Sequence, residues 1–219
     1  MKSVAVIVLL VSLLVSPAVI EAKEFSVNLK GGTLGIGVEG EYSLNEYFGA
    51  RLGANYFKYS YDGVEDDINY NFDLGLKTAS ALVDLHPFKG SFRLSAGAFY
   101  NLNKLDANAT SSATYDIGNT TYTGAQVGTL KGNIEFKKFA PYLGLGWDTS
   151  FGKDSGWGFV FDAGALYQGS AKATLSADGP ISTDATFKQN LAFEERELQN
   201  DLDGFKFYPL IALGVSYRF

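Results

Sequence analysis

Phe205-Lys206-Phe207-Tyr208-Pro209-Leu210-Ile211-Ala212-Leu213-Gly214-Val215-Ser216-Tyr217-Arg218-Phe219 closes the chain, and its two registers differ in kind. Every odd position is apolar or aromatic, Pro209 included. The even positions, from Lys206 to Arg218, are mostly small or polar. A period of two means a strand with two unlike faces. The apolar face is the continuous one, and the chain stops on it at Phe219. A soluble strand lining a core could show the same pattern. Here, however, the pattern recurs in every other strand candidate, and a secretory-type segment opens the chain. Together these predict a transmembrane β-barrel, apolar towards lipid and polar towards its lumen.

That opening segment, residues 1–22, has Lys2 as a thin basic start, an apolar run from Val4 to Val15, and Pro17 after it. Ala22 is a plausible last residue of the signal, with Ala18 as a rival. The run is too short for a convincing spanning helix. Residues 23–219 are then one barrel domain. No other stretch approaches a helical span, so a membrane crossing requires a closed barrel, because lipid cannot satisfy open strand edges. A mean hydropathy of +0.00 fits, since a polar lumen dilutes the lipid face. The net charge of −6, without a basic stripe, argues against a nucleic-acid partner.

Walking outward from the last strand, the same alternation appears repeatedly. Phe25, Val27 and Leu29 oppose Ser26, Asn28 and Lys30. After Gly31-Gly32 the phase flips: Leu34, Ile36, Val38 and Tyr42 share one face and Gly35, Gly37, Glu39 and Glu41 the other. A tight hairpin or one strand bulged at the glycines would give this, and strand parity favours the hairpin. Phe48 to Tyr56 follows, then an acidic loop from Asp62 to Asp67. Ile68 to Leu76 opposes Asn69, Asn71, Asp73, Gly75 and Lys77, with a bulge read near Ala79–Ala81 so that Asp84 points inward. Phe92 to Leu102 opposes Arg93 and Ser95. Asp106 to Thr129 is a long polar stretch with a surface hairpin around Gly118-Asn119. Phe139 to Trp147 opposes Tyr142 and Asp148, and Trp157 to Tyr167 opposes Asp162. Gln189 to Leu202 reads as a short acidic amphipathic helix before the final strand.

Seven strands are plain, and single-chain bacterial barrels have an even number. Counting Phe25–Lys30 as a short first strand makes eight. The turns at Leu44, Pro87 and Gly152 are then short and periplasmic, and the long connections lie outside. The alternative makes Ile181–Lys188 a further strand and puts the helix in the periplasm. The predicted fold is an all-β, closed, antiparallel eight-stranded transmembrane barrel.

The chain resembles the small outer-membrane barrels of Gram-negative bacteria, such as the OmpA transmembrane domain and OmpW. The signal segment, the Gly- and aromatic-rich strands and the ending Leu213-Gly214-Val215-Ser216-Tyr217-Arg218-Phe219 carry the resemblance. It implies export through the periplasm to the outer membrane. Val215, Tyr217 and Phe219 are then the signal read by the barrel-assembly machinery. An acidic helix followed by Phe205-Lys206-Phe207-Tyr208-Pro209 is most similar to proteobacterial outer-membrane proteins of unassigned role.

The expected site is a lumen charge network of Glu39, Glu41, Arg51, Asp73, Lys77, Asp84, Arg93, Asp148, Asp162 and Lys206. Eight strands make a barrel narrow enough for side chains to fill. Charges buried there must pair. The lone His86 sits beside Pro87 at a turn, a poor place for a general base. The acidic stretches lack the spaced ligand set of a calcium loop. The sequence therefore predicts no catalysis, cofactor or metal. It predicts a monomer whose partners are outer-membrane lipid and lipopolysaccharide, with a structural or surface role. A narrow porin or an OmpW-like transporter of ions or small apolar molecules is the alternative.

Overall fold

The computed structural model describes residues 24–65 and 68–219. The signal segment expected at 1–22 lies outside the described residues. The wall is built from β1 (Phe25–Gly32), β2 (Gly35–Ser43), β3 (Phe48–Glu65), β4 (Ile68–Leu85), β5 (Phe92–Asn101), β10 (Phe139–Asp148), β11 (Gly156–Tyr167) and β13 (Phe207–Arg218). Each pairs antiparallel with the next, and β13 pairs back onto β1, so eight strands close into a barrel. Residues Thr33 and Leu34 turn the first hairpin, and Gly35 leaves it at φ +87°, a backbone state that favours glycine. Phe25, Phe219 and the short turns share one end of the barrel, here the near end.

Beyond the opposite, distal end, part of the wall keeps going. Strands β6 (Lys104–Ser111), β9 (Thr129–Glu135) and β12 (Lys172–Ala177) continue the courses of β5, β10 and β11. With the distal halves of β3 and β4 they form an open sheet ordered β3-β4-β6-β9-β12. Two expected loops are therefore strand. Asp62 lies within β3, paired with Asn71, and Asp106–Ser111 lies within β6. The hairpin around Gly118-Asn119 is present, as β7 (Thr114–Ile117) and β8 (Thr120–Thr123), followed by a one-turn helix α1 (Gly124–Val127).

The bulge expected near Ala79–Ala81 is absent. β3 and β4 pair in one unbroken register from Phe48↔Leu85 to Glu65↔Ile68. What changes is the surroundings. Within the barrel, Thr78, Ser80 and Asp84 face a polar lumen, while Ala79, Ala81 and Val83 face lipid. Further along β4 the lumen-side residues are Leu76, Leu74, Phe72 and Tyr70, and the outer ones are Lys77, Asp73, Asn71 and Asn69. The same inversion runs across the sheet, because Leu74, Leu105, Ile134 and Ala173 form one cross-strand row. Outside the membrane the outer face meets water, so the apolar side turns inward.

Helix α2 (Ala185–Leu202) lies over this concave apolar face. Asp184 caps it, its carboxylate accepting from Phe187 N at 2.9 Å. A 3₁₀ turn at Pro180–Thr183 precedes it, so Ile181–Lys188 is turn and helix, not a further strand. Phe187 packs with Tyr115, Ile117, Tyr122 and Val127, which anchors the helix to the β7–β8 hairpin. On its β12 side, Glu195 accepts from Leu175 N at 2.8 Å and Gln199 accepts from Ala173 N at 3.1 Å. Four residues of helix rise about 6 Å and two of strand about 6.6 Å, so the two spacings nearly match. The helix thereby covers the donors of a sheet edge.

Candidate functional site

The lumen of the barrel is closed by two layers of side chains. In the near half, three cations and five carboxylates interlock. Arg51 holds Asp84 through two parallel bonds, Nε to Oδ2 at 2.6 Å and Nη2 to Oδ1 at 2.9 Å. Its Nη1 reaches Glu39 at 3.1 Å and Asp162 at 3.3 Å. Lys30 donates to Glu39 at 2.6 Å and to Asp162 at 2.7 Å. Arg93 donates to Glu41 at 3.0 Å and to Asp162 at 2.9 Å, and lies 3.8 Å from Asp148. Asp148 also accepts from Ser150 Oγ at 2.7 Å and Ser216 Oγ at 3.2 Å. Asp162 thus joins all three cations. Period-two alternation on β1, β2, β3, β4, β5, β10 and β11 aims these groups inward, and all are buried. Charges so far from water persist only when paired and hydrogen-bonded.

The second layer is apolar. Leu34, Leu82, Phe99, Tyr142, Leu166, Leu210 and Ala212 pack across the lumen on the distal side, with the Phe99 and Tyr142 rings edge to face at 5.4 Å. The space between the two layers amounts to about 10 Å³. That is at most room for one water molecule.

Solved structures share this architecture. CarO2 of Acinetobacter baumannii is 25% identical, with a TM-score of 0.58, over 89% of this chain and 98% of its own. CarO of the same organism is 24% identical, with a TM-score of 0.56, over 90% and 98%. This chain is an outer-membrane β-barrel protein. No family model matches it, and no curated protein does.

The barrel protein places seven of the ten residues expected in the lumen network together: Glu39, Glu41, Arg51, Asp84, Arg93, Asp148 and Asp162. Three lie elsewhere. Asp73 is on the outer face of the distal sheet, where it accepts from Ser60 and sits 3.7 Å from Lys58. Lys77 is also outward, its Nζ 5.7 Å from the centre of the Tyr56 ring. Lys206 precedes β13, and its carbonyl accepts from Gln168 N at 2.9 Å. The apolar register of β4 faces lipid only within the barrel and turns inward beyond it, which puts Asp73 and Lys77 outside. Lys206 falls before the last strand begins at Phe207. Lys30 is the cation that the expected network omitted, although its place opposite Leu29 on β1 carries the same alternation signal.

At the near end, His86 is buried and stacks on Phe151 with ring centres 3.4 Å apart. Its Nδ1 lies 2.8 Å from the Gly90 carbonyl, and burial holds its pKa below the usual histidine range. Arg218 is buried beside it, 3.0 Å from Ser43 Oγ and 5.6 Å from the Phe151 ring centre. Val215, Tyr217 and Phe219 share the outer face of β13. There Tyr217 contacts Trp157 and Phe219, each at 5.1 Å between ring centres.

Proposed function

We propose that this protein is a non-conducting barrel that acts through its distal extension, held on the cell surface, and not by passage through its lumen. The double seal carries this reading. An ion moving through would have to displace both the charge network and the Phe99–Tyr142 layer beyond it. The long strands then stand outside the cell, as longer connections do in such barrels, and the near end faces the periplasm. The surface role is non-catalytic, since His86 is engaged in packing and in a turn hydrogen bond. The apolar outer face and its aromatic ends suit contact with outer-membrane lipid and lipopolysaccharide. Export through the periplasm and insertion by the assembly machinery, with the Phe219 end as signal, belong to the same reading.

The test is conductance of the refolded protein in a planar bilayer, with insertion confirmed independently. Silence is the expected result. Discrete, reproducible channels would overturn the proposal in favour of a narrow porin.

A further inference from the structure

The hollow between the distal sheet and α2 is not filled. A cavity of about 380 Å³ lies beneath the end of the helix, walled by Leu74, Leu76, Leu105, Ile134, Leu202 and Phe205 among others. A second of about 290 Å³ adjoins it under Leu198 and shares Leu105 and Ile134. Volumes of this order suit small-molecule ligands. Nearly all the lining is aliphatic or aromatic.

The wall beside this cavity has a gap. Strands β6 and β9 pair as far as Lys104↔Glu135, and β5 and β10 resume at Tyr100↔Phe139. Between them, residues 101–103 and 136–138 leave the ladder, with one backbone bond from Asn101 N to Lys138 O at 2.6 Å. An opening of about 340 Å³ sits there. Its lining mixes lumen-side Asn101 and Asn103 with outer-side Lys77 and Lys104, and it also includes Lys138 and Glu135. Asn103, Lys104 and Phe136 line both this opening and the cavity, so only those side chains stand between the two. The opening is therefore a window at the level where the outer face changes from apolar to polar. Its rim carries three exposed lysines against Glu135, and Lys104 also pairs with Asp106 at 2.6 Å.

We propose that this cavity and window bind one single-chain anionic amphipath, a fatty-acid-like carboxylate. Its hydrocarbon lies among Leu74, Leu105, Ile134 and Leu202, and its carboxylate lies at Lys77, Lys104 and Lys138. The apolar lining accounts for the chain, and the excess positive charge of the rim accounts for the head. A hydrocarbon chain gains roughly 0.8 kcal/mol per buried methylene. The window lies at the boundary of the outer leaflet, so a single-chain lipid can reach it sideways without crossing the sealed lumen. This inference goes beyond the surface role proposed above and does not depend on the conductance result.

The test is equilibrium binding of radiolabelled dodecanoate to the refolded full chain in nanodiscs of neutral phospholipid, with empty nanodiscs as blank. We expect saturable binding of one dodecanoate per chain in excess of the blank. Lys77→Gln, Lys104→Gln and Lys138→Gln combined should weaken it by about tenfold, the scale of partly exposed charge pairs summed over the site. The same triple variant should bind dodecanol as the unsubstituted protein does. Leu105→Trp fills the cavity and should abolish saturable binding of both. Ile134→Trp, on the facing strand, serves the same purpose should Leu105→Trp fail to fold. No saturable excess over empty nanodiscs, or unchanged binding in the folded tryptophan variant, overturns the site. Equal affinity for dodecanol and dodecanoate in the unsubstituted protein overturns the carboxylate assignment.

Discussion

Lys30 and Asp162 meet inside the lumen at 2.7 Å although they stand 132 positions apart in sequence. They stand on β1 and β11, the two strands that flank β13. Their contact ties the first strand to the last third of the chain, so the network matures only when the barrel closes. Removing Asp162 takes one carboxylate from each of three buried cations, leaving Lys30 on Glu39, Arg51 on Asp84 and Glu39, and Arg93 on Glu41. We expect Asp162→Ala to cost about 3–5 kcal/mol, the range for breaking a buried pair on one side. Urea unfolding followed by the emission of Trp147 and Trp157 measures it. Asp73→Ala, on the exposed outer face, should fall within about 0.5 kcal/mol of the parent. Equal losses in the two variants would refute the network as drawn.

Phe99 lies at the centre of the apolar layer and is 2% exposed. Phe99→Ala should destabilise the barrel by about 3–5 kcal/mol through lost burial and the space left behind. The same variant should remain silent in a planar bilayer, because the ionic layer still closes the lumen. Channels from this single substitution would show that the apolar layer alone makes the seal.

His86 provides a pH dependence. Its folded pKa is depressed by burial, so folding favours the neutral ring. Its contribution is complete above the ordinary histidine value and is lost as pH falls through the lowered folded value. Stability should therefore decline as pH drops below about 6.5, the unperturbed histidine value. His86→Phe keeps a ring against Phe151 and should flatten that part of the profile. A profile unchanged by His86→Phe would assign the acid sensitivity elsewhere.

Deleting Phe219 removes a ring that packs on Tyr217 and Phe25. The shortened protein should reach the outer membrane of cells in smaller amounts, as quantitative surface labelling would show. Normal surface levels would remove the last residue from the assembly signal.

Much of the barrel was legible because period two encodes direction. Glu39, Glu41, Arg51, Arg93, Asp148 and Asp162 all follow from their apolar neighbours. Asp84 also faces the lumen, though without the bulge invoked to bring it there. What period two does not encode is the medium. Along β4 the register never slips, yet the apolar side passes from lipid-facing to lumen-facing between Ala79 and Leu76. Read as one uninterrupted membrane strand, that passage looks like a bulge and carries Asp73 and Lys77 indoors. The distal strands were hidden for a related reason. Asp106 to Ser111 is polar on its outer face and only Ala-sized on its inner one, which resembles a loop until Leu130 and Ile134 are set beside it. The helix was legible from Gln189 onward. Its first turn depends on the Asp184 cap and on Phe187, whose buried partners from Tyr115 to Val127 lie 60 to 72 residues earlier.

The grip of Glu195 and Gln199 on β12 has a consequence for how such proteins crowd together. An uncovered strand edge is adhesive, since any neighbouring chain with a free edge can zip onto it. Here the helix acts as a sheath over that edge. Lifting it would do two things at once: unroof the hollow beneath and expose Leu175 and Ala173 as a docking strip. Access to the interior of the extension and stickiness towards neighbours are thereby one mechanical event, set by two side chains one helical turn apart.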